Sequence, residues 1–399
     1  MNLEQELLDV KTKIKSNIFN WRGQFTPQFV EYILREFTKQ GDSVFDPFSG
    51  SGTVLLEAAK LGRSAVGYEI NPSAYAMSRF FSFCNMTHLD RSLFLERFEA
   101  KLRGNLDKLG GERVYVENSD FRLAYSSLLN FSDEFNCSIA DRQERIFLLN
   151  MLFQSEKDKS LLLKDSIAKS FAYLKKNLNE IPFSDQPIKA TLNDARKAGE
   201  EYDTTFDLIF TSPPYINVFN YHQNYRAIIE SFGFDILKVA QSEFGSNRKN
   251  RGNRFKTVVQ YCLDMELALN AFWKVLKDQG KIVLVLGRES NVRGVSFGNG
   301  KMVMEMIQNS NCFTILKVLE RKFTNKFGLD IWEDIIIAKK NSSQIIKFDV
   351  GRSIALNHLK DKLSEANDGV KLDIQDAISS IDSISASPLF DSNNILRNV

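Results

Sequence analysis

The stretch Asp207–Tyr215 constrains the fold of this chain most, because a short apolar run ends there in two consecutive prolines. The apolar residues 208–210 predict a buried strand. Pro213 and Pro214 have no backbone N–H group, and each restricts the residue before it to extended conformations. The chain therefore has to leave this strand in a stiff, extended form.

The segment Ser212–Tyr215, called the tetrad below, brings hydrogen-bond acceptors and an aromatic ring to the end of that strand. The carbonyls of Ser212 and Pro213 can point outward beside the Ser212 hydroxyl, with the Tyr215 ring as a lid. Such a group suits a flat substrate that carries an exocyclic amine, because acceptors orient the NH2 group and the ring stacks on the heterocycle. The alternative is that the two prolines merely end an edge strand.

The composition is that of an ordinary globular protein. The 399 residues are 43% hydrophobic and 26% charged, with a formal net charge of +2, so any affinity for nucleic acid has to come from local patches. The four cysteines lie far apart without metal-ligand spacing, which argues against a zinc site and against a disulfide framework. No apolar run approaches membrane-spanning length, and we expect a soluble cytoplasmic protein.

A second motif lies at residues 44–53. Val44 and Phe45 predict the end of a short buried strand, and the next two residues, Asp-Pro, turn the chain out of it. Gly50 and Gly52 allow the backbone to approach a ligand closely, and a predicted helix that begins at Thr53 directs its N–H groups toward that ligand. The dinucleotide and phosphate-loop signatures are both incomplete in this segment.

A second strand is predicted over residues 63–69, and it ends in Glu69. In a parallel sheet this spacing brings Glu69 to the tip of the neighbouring strand, where a carboxylate can bind both hydroxyls of a ribose. A solvated acid at a strand end is the alternative, and the glycine-containing loop before it favours ribose binding.

Together, DPFSGSGT at 46–53 and TSPPY at 211–215 resemble the S-adenosylmethionine-dependent DNA amino-methyltransferases, which modify N4 of cytosine or N6 of adenine. The resemblance implies a Rossmann-like α/β methyltransferase fold. Its sheet would be mostly parallel and seven-stranded, with an antiparallel C-terminal hairpin and a helical insertion. The motifs stand in the order cofactor loop and then tetrad, whereas many serine-type enzymes place the tetrad first.

The resemblance also assigns roles to residues. The catalytic tetrad that holds a flipped base would be Ser212, Pro213, Pro214 and Tyr215. The S-adenosylmethionine site would comprise a helix-start motif over the methionine end, the loop, the ribose acid with its neighbour, and an acidic turn for the adenine amine: Phe25, Thr26, Asp46, Pro47, Phe48, Ser49, Gly50, Ser51, Gly52, Thr53, Glu69, Ile70, Asp194 and Ala195. No metal is expected, because the sulfonium already activates the methyl group.

A serine at position 212, where many adenine enzymes carry Asp or Asn, favours N4 of cytosine. N6 of adenine is the main alternative. An RNA amino-methyltransferase, a catalytically silent DNA-binding module and a chain with endonuclease activity are rival hypotheses, each with less support in the sequence.

We predict four parts of the chain: residues 1–79 and 188–345 as the two halves of a methyltransferase domain, 80–187 as a helical insertion, and 346–399 as a partly flexible extension. The insertion is a candidate target-recognition element. The alternative is a helical lid that only supports the cofactor cleft.

A loop rich in glycine, asparagine and arginine follows the tetrad. Its cations are candidates for phosphate contacts on double-stranded DNA, although a solvated charge run is the usual alternative: Arg248, Lys249, Arg251, Arg254 and Lys256. The resemblance suggests one further partner, a separately encoded restriction endonuclease that acts on the same site.

The remaining pattern predicts a helix over 258–278, a buried strand over 281–287, a polar loop over 288–300 facing the cleft, a helix over 301–310, and two final strands over 313–322 and 334–340.

Overall fold

The computed structural model describes residues 3–111, 121–157, 162–216, 221–245, 250, 252–324, 328–342 and 349–392. For residues 121–126 and 221, the backbone alone is described.

A seven-stranded sheet forms the centre of the described structure. Its order is β3-β2-β1-β4-β5-β9-β8, and a separate hairpin pairs β6 with β7. The strands are β1 (Ser43–Asp46), β2 (Ser64–Glu69), β3 (Ile188–Leu192), β4 (Phe206–Thr211), β5 (Leu276–Gly287), β6 (Glu289–Val292), β7 (Val295–Gly298), β8 (Phe313–Thr324) and β9 (Asp330–Lys340).

The first five strands of the sheet order pair in parallel, and β9 pairs antiparallel with both β5 and β8. This sheet confirms the predicted fold class. The strand order reverses direction between β1 and β4, which makes their carboxyl ends the switch point where α/β proteins bind ligands.

Helices cover both faces of the sheet. They are α1 (Gln5–Asp9), α2 (Pro27–Phe37), α3 (Thr53–Lys60), α4 (Pro72–Phe80), α5 (His88–Leu106), α6 (Phe121–Cys137), α7 (Arg142–Ser155), α8 (Leu163–Glu180), α9 (Ala198–Glu201), α10 (Arg226–Ser231), α11 (Ile236–Ser242), α12 (Lys256–Val275), α13 (Asn299–Ser310), α14 (Gly351–Glu365) and α15 (Asp368–Ser379).

The alternation of side chains along β5 divides the apolar interior into two clusters. Val283 and Val285 belong to the cluster that also contains buried residues of α2, α3, α4 and the insertion, and Leu284 and Leu286 belong to the one with α12 and α13. Both faces of the second half of this strand are buried, which explains the continuous apolar run over residues 282–286.

Local sequence explains where several helices begin. Pro27 occupies the first turn of α2, where its missing N–H costs nothing. The Asn71 side chain accepts hydrogen bonds from the first N–H groups of α4, and Thr87 forms a capping box with Asp90 at the start of α5.

The segment predicted as a polar loop over 288–300 contains the β6–β7 hairpin, so that prediction was wrong. Val292, Val295 and Phe297 are buried at alternating positions, and Arg293 and Gly294 both have positive φ at the turn. A two-residue turn of this kind matches the twist of a hairpin. The sequence gives too weak a signal for this hairpin, because β6 contains one apolar residue, Val292, and β7 contains two, Val295 and Phe297.

The C-terminal extension, predicted to be partly flexible, contains α14 and α15. Ile354, Leu359 and Ile374 are buried in the cluster that contains α12. The apolar residues of α14 are spread around the helix, which hid its packing face from a search for amphipathic periodicity.

The insertion shares its core with the cofactor half of the sheet. Phe83 of the turn after α4, Phe94 and Phe98 of α5 and Phe147 of α7 form a chain of ring contacts with centroids 4.8–5.5 Å apart along neighbouring pairs. On its other side, Phe153 of α7 contacts the Tyr225 ring at 4.5 Å, in the segment that follows the tetrad. The insertion is therefore helical, as predicted, and packs against both halves of the fold.

Arg91 of α5 holds the beginning and the end of the insertion together. Its side chain is completely buried, and its guanidinium donates hydrogen bonds to five backbone carbonyls, those of Phe83, Cys84, Leu178, Ile181 and Pro182. Burial lowers the pKa of Arg91, because no carboxylate offsets the loss of water. The fork of five donors satisfies carbonyls from two segments about ninety residues apart.

We expect Arg91→Lys to destabilise the protein by about 2–4 kcal/mol, because an ammonium cannot reach five carbonyls and leaves several of them buried and unpaired. Urea unfolding monitored by circular dichroism measures the change. Arg97→Lys, on an exposed position of the same helix, is the control and should stay within about 0.5 kcal/mol of the wild type. Equal stabilities for the two variants would contradict the role given to Arg91.

Candidate active site

One buried hydrogen bond joins the two motifs. The pairing of β1 with β4 aligns Val44 with Leu208 and Phe45 with Ile209, so Asp46 and Thr211 end neighbouring strands. The Thr211 hydroxyl donates to Asp46 Oδ1 at 2.6 Å. Asp46 is 3% exposed, and burial raises its pKa to about 7, against the opposing effect of the Thr211 hydrogen bond.

The loop between β1 and α3 follows a tight course that requires glycine. Gly50 and Gly52 have φ of 50° and 85°. A Cβ atom on Gly52 would lie 2.7 Å from the Ser78 Cα and from the Phe81 ring, so only glycine fits there. Ser49 N–H donates to the Tyr68 carbonyl at 2.9 Å, which fixes the loop against the end of β2.

Glu69 lies at the tip of β2, as predicted, and its carboxylate faces this loop. One oxygen accepts the Gly50 N–H at 2.9 Å and the other accepts the Asn71 N–H at 2.8 Å. Burial raises the pKa of Glu69 to about 7, more than these two hydrogen bonds lower it. Each oxygen has further lone pairs, so the carboxylate can also accept hydrogen bonds from two vicinal hydroxyls.

The segment before α2 covers the loop from the other side. Asn17 donates to the Phe25 carbonyl at 3.0 Å and to Thr53 Oγ1 at 2.9 Å, and Ser51 donates to the Gln24 side chain at 2.7 Å. Sequence reasoning missed Asn17 and Gln24. Their amide groups in a polar segment just before the helix-start motif were the available signal.

The predicted helix-start residues lie beside this covering segment. The Phe25 ring stacks on Phe210 of β4 at 5.1 Å, and Thr26 directly precedes α2. Ile70, next to Glu69, packs against the same apolar cluster. The structure thus brings the predicted helix start, loop, ribose acid and tetrad strand together at the carboxyl ends of β1, β2 and β4.

These residues fit S-adenosylmethionine. The loop offers a backbone surface that lacks side chains at Gly50 and Gly52, and Glu69 retains acceptor capacity for hydroxyls. The buried Ser49 Oγ has no hydrogen-bond partner within the described part of the chain, so it remains to be satisfied by something else.

Asp194 has protein partners that the resemblance did not predict. It is 1% exposed, and its two oxygens accept hydrogen bonds from the Arg196 side chain at 2.9 and 2.6 Å. The backbone N–H groups of Arg196, at 3.0 Å, and of Phe390 in the C-terminal extension, at 2.9 Å, add two more. Adjacent Ala195 is also buried. The adenine contact of Asp194 therefore stays a prediction, and the structure adds Arg196 and Phe390 as its protein partners.

Arg196 also connects to α12 and to the C-terminal segment. Its Nη1 donates to Asp264 Oδ1 at 2.7 Å and to the Ser387 carbonyl at 2.9 Å. Burial is the largest single effect and lowers the pKa of Arg196, but the two carboxylates together outweigh it and raise that pKa. Burial raises the pKa of Asp264 to about 6, against the attraction of Arg196. The sequence offered no signal that three residues so far apart would meet.

In the tetrad, Pro213 is buried, and Ser212, Pro214 and Tyr215 are partly exposed. The Tyr215 ring packs directly on the end of β5, where a Cβ atom on Gly287 would lie 2.8 Å from Tyr215 Cε2. The chain after the tetrad is held as well, because Ile216 N–H donates to the buried Asn299 side chain at 3.3 Å, and Asn299 Nδ2 donates to the Gly287 carbonyl at 2.9 Å.

The Tyr215 hydroxyl has two partners that sequence reasoning did not find. Ser212 Oγ lies 3.3 Å from it, and it donates to Glu333 Oε1 of β9 at 3.1 Å. Glu333 is directly opposite Gly287 in the register of β5 with β9. This pairing brings the Glu333 carboxylate to the tetrad.

The predicted DNA-binding loop is described in part. Arg248, Lys249 and Arg251 lie outside the described residues. Arg254 is exposed, whereas Lys256 forms an ion pair with Asp376 of α15 at 2.9 Å.

The loop begins beside the tetrad, since a Cβ atom on Gly245 would lie 3.9 Å from the Ile216 Cα. The contacts of all five cations with DNA stay a prediction.

The described residues contain no membrane-spanning helix, no metal-binding cluster and no disulfide bond. None of their helices is long and apolar enough to span a membrane. Within the same ranges, no group of three or more His, Cys, Asp or Glu side chains is placed to hold a metal ion. All four cysteines are free, and three of them are buried.

The N-terminal part of the chain is similar to known DNA methylases. Residues 5–80 match the N6/N4 methyltransferase family model, described as DNA methylase. The Type II methyltransferase M.BsoBI of Geobacillus stearothermophilus is 23% identical over 59% of this chain and 57% of its own length. The Type II methyltransferase M.MjaII of Methanocaldococcus jannaschii is 25% identical over 58% of this chain and 37% of its own length.

These matches confirm the resemblance to the S-adenosylmethionine-dependent DNA amino-methyltransferases, and the chain spans about half the length of these relatives or less. Among solved structures, a SAM-dependent methyltransferase from Methanosarcina mazei is 12% identical with a TM-score of 0.34, covering 79% of this chain and 98% of its own.

The raised pKa of Asp46 predicts a pH-dependent stability. Because the folded carboxyl has a pKa of about 7, well above that of an unfolded aspartate, the folded state holds a proton that the unfolded state has lost between about pH 4 and pH 7. Its contribution to stability is full below that range and is lost as the pH rises through 7.

Asp46→Asn keeps an acceptor for Thr211 but cannot titrate. We expect the unfolding free energy of the wild type relative to this variant to fall by about 2–3 kcal/mol between pH 5 and pH 8 in the absence of cofactor. Urea unfolding at several pH values measures it, with the exposed Asp185→Asn as control. Parallel pH curves for the wild type and Asp46→Asn would contradict the prediction.

Proposed function

We propose that this chain is a site-specific DNA methyltransferase that transfers a methyl group from S-adenosylmethionine to the exocyclic N4 amine of a flipped-out cytosine. The observation that carries the proposal is the hydrogen bond between Asp46 and Thr211, which joins a loop suited to the cofactor with a tetrad suited to an aromatic amine. The match of residues 5–80 to the DNA methylase family supports methylation of an amino group in DNA, and the choice of cytosine rests on Ser212.

The cofactor end of the site would bind S-adenosylmethionine and orient it. Glu69 would accept hydrogen bonds from the ribose hydroxyls, and the loop around Gly50 would hold the methionine part beneath the covering segment with Asn17 and Phe25. When bound, S-adenosylmethionine supplies a methyl group that its sulfonium centre already activates. The chain therefore has to contribute position more than chemical activation.

The tetrad positions the nucleophile. An aromatic amine is a poor nucleophile, because its lone pair is delocalised into the ring. Hydrogen bonds from the NH2 group to the Ser212 hydroxyl and the Pro213 carbonyl favour a more tetrahedral nitrogen and direct its lone pair at the methyl carbon. The base cannot reach this site inside a duplex, so it has to be flipped out, with Tyr215 stacking on it.

The basic loop and the insertion are proposed to contact the DNA. The loop begins at Gly245, beside the residue that follows the tetrad, and exposed Arg254 together with Arg248, Lys249 and Arg251 would supply cations for phosphates. The insertion reaches the same region through the contact of Phe153 with Tyr225, which favours a role in target recognition over that of a remote lid. By resemblance, a separately encoded restriction endonuclease would act on the same DNA site.

The proposal is tested by methyl transfer from labelled S-adenosylmethionine to unmethylated bacterial DNA, with nucleoside analysis of the product. We expect N4-methylcytosine, and loss of at least about 100-fold in rate for Ser212→Ala and for Tyr215→Ala, because each removes a group that orients the base. The exposed Ser364→Ala serves as control.

The product distinguishes the alternatives. If N6-methyladenine forms instead, the fold and the mechanism stand, and the choice of cytosine from Ser212 is wrong. If RNA takes the label and DNA does not, the proposed substrate is wrong. If neither takes it, the proposed activity is wrong.

A second prediction concerns Gly287, on which the Tyr215 ring rests. In Gly287→Ala the new methyl group would meet the ring at 2.8 Å, and the partly exposed ring has to move away. We expect a 10- to 100-fold lower rate of methyl transfer, since small displacements of a positioning group have effects of this order. Single-turnover assays measure the rate, and isothermal titration should give an unchanged cofactor affinity.

Gly104→Ala is the matched control, because a Cβ atom at Gly104 would meet nothing within 4 Å. A Gly287→Ala enzyme as fast as the wild type would show that the position of the Tyr215 ring does not limit the reaction.

A further inference from the structure

Three side chains form a hydrogen-bonded row that begins in the tetrad. Ser212 Oγ lies 3.3 Å from the Tyr215 hydroxyl, and the Tyr215 hydroxyl lies 3.1 Å from Glu333 Oε1. Ser212 and Tyr215 are proposed to contact the base. Glu333, on β9, is 118 residues further along the chain than Tyr215 and belongs to neither motif.

The chemistry of the three groups fixes the direction of these hydrogen bonds. A carboxylate only accepts, so the Tyr215 hydroxyl has to donate its proton toward Glu333. The Ser212 hydroxyl then donates to the Tyr215 oxygen. Ser212 Oγ keeps lone pairs with which it can accept a hydrogen bond from the amine of a bound base.

Glu333 lies in a shielded position beside an arginine. Its side chain is 12% exposed, and Arg321 Nε of β8 lies 3.2 Å from its second oxygen, Oε2. Arg321 is itself 4% exposed, and its guanidinium carbon lies 4.0 Å from the centre of the Phe29 ring of α2. The row therefore ends in a shielded carboxylate whose charge is balanced by one arginine.

Transfer of a methyl group to an aromatic amine requires that a proton leaves. As the new N–C bond forms, the C–S bond breaks and its electron pair stays on sulfur. The nitrogen would then carry a full positive charge unless it loses one of its N–H protons. An acceptor that takes this proton during transfer lowers the barrier.

We propose that Glu333 receives this proton through Tyr215 and Ser212. The amine proton passes to Ser212 Oγ, the Ser212 proton to the Tyr215 oxygen, and the Tyr215 proton to Glu333, which becomes a neutral carboxyl group. Both hydroxyls regain a proton, and the methylated amine is neutral. Glu333 touches neither base nor cofactor and acts through Tyr215 as a positioning and proton-accepting residue.

The inference rests on the proposed amino-methyltransferase function, and the wild-type assay tests that function separately. The informative variants are Glu333→Gln, which keeps the shape of the side chain but cannot take up a proton, and Tyr215→Phe, which keeps the ring and removes the hydroxyl. Glu320→Gln is the control, because Glu320 lies on the neighbouring strand with an exposed carboxylate that pairs with Arg288.

We expect Glu333→Gln and Tyr215→Phe each to lower the single-turnover rate by about 100-fold, the order of a general-base contribution. The double variant should be no more than about twofold slower than either single variant, because both changes interrupt one path. Glu320→Gln should match the wild type.

One further readout separates proton transfer from a purely structural role, and a second tests the hydrogen bond itself. In mixtures of H2O and D2O, the wild-type rate should fall along a curve as deuterium increases, because several protons move together, and this curvature should vanish in Tyr215→Phe. Without any cofactor, the effects of the two variants on the unfolding free energy should be non-additive, since the residues share a hydrogen bond.

Several outcomes would overturn the proposal. A Glu333→Gln or Tyr215→Phe enzyme that transfers methyl groups at the wild-type rate would do so, as would rate losses that multiply in the double variant. If Glu333→Gln fails to fold because Arg321 loses its partner, Tyr215→Phe decides alone, since it leaves that ion pair intact. A wild-type chain that methylates no nucleic acid would refute the proposed function, and this inference with it.

Discussion

The parallel pairing of β1 with β4 is the constraint on which the site depends. Asp46 and Thr211 are 165 positions apart in the chain, yet they end adjacent strands and share a buried hydrogen bond of 2.6 Å. The chain order β1-β2-β3 builds outward on one side of this pair, and β4-β5 builds outward on the other. A crevice at the carboxyl ends is the geometric result, and both motifs open into it. Moving either strand by one residue would turn its side chains to the opposite face and separate the two motifs.

A feature of the fold or of the site could be predicted from the sequence when a short local pattern of residues encodes it. The cofactor loop, Glu69 and the tetrad lie in short segments where a glycine, a proline or an acid at a strand end is compatible with few backbone structures. They could therefore be predicted locally, and the structure brings them together. Glu333 and Arg196 are ordinary charged residues in sequence. Their roles arise from the β5–β9 register and from the return of the C-terminal segment, which no local pattern encodes. The β6–β7 hairpin and α14 were missed for a related reason, because their apolar patterns are too short or too evenly spread.

Two buried arginines show how the fold accommodates charge away from water. Arg91 satisfies its five donors with carbonyls alone, whereas Arg196 is held between Asp194 and Asp264 and by carbonyls of the C-terminal segment. A buried ion pair barely compensates its desolvation, so such a cluster contributes specificity of arrangement more than stability. Here Arg196 connects the turn after β3 to helix α12 and to the extension. It also forms two side-chain hydrogen bonds with the Asp194 carboxylate. The extension is thus a structural part of the edge where the adenine of the cofactor is expected.

The same logic of fixed position applies at the tetrad. Its two prolines restrict the backbone, Gly287 supports the Tyr215 ring, and Asn299 holds the chain that leaves the tetrad. Because the methyl group is activated on its sulfonium, the protein gains little from stronger electrophilic chemistry and much from a base held at one angle and distance. Positioning alone, however, does not remove the positive charge that develops on the nitrogen, because that requires a group that accepts a proton. A proton acceptor has to be reached from a group that contacts the amine, and Ser212 is the group proposed to do so. The hydrogen-bonded row that begins at Ser212 ends at the Glu333 carboxylate, which is shielded from solvent. On this proposal, β9 contributes to the chemistry of the site as well as to the sheet.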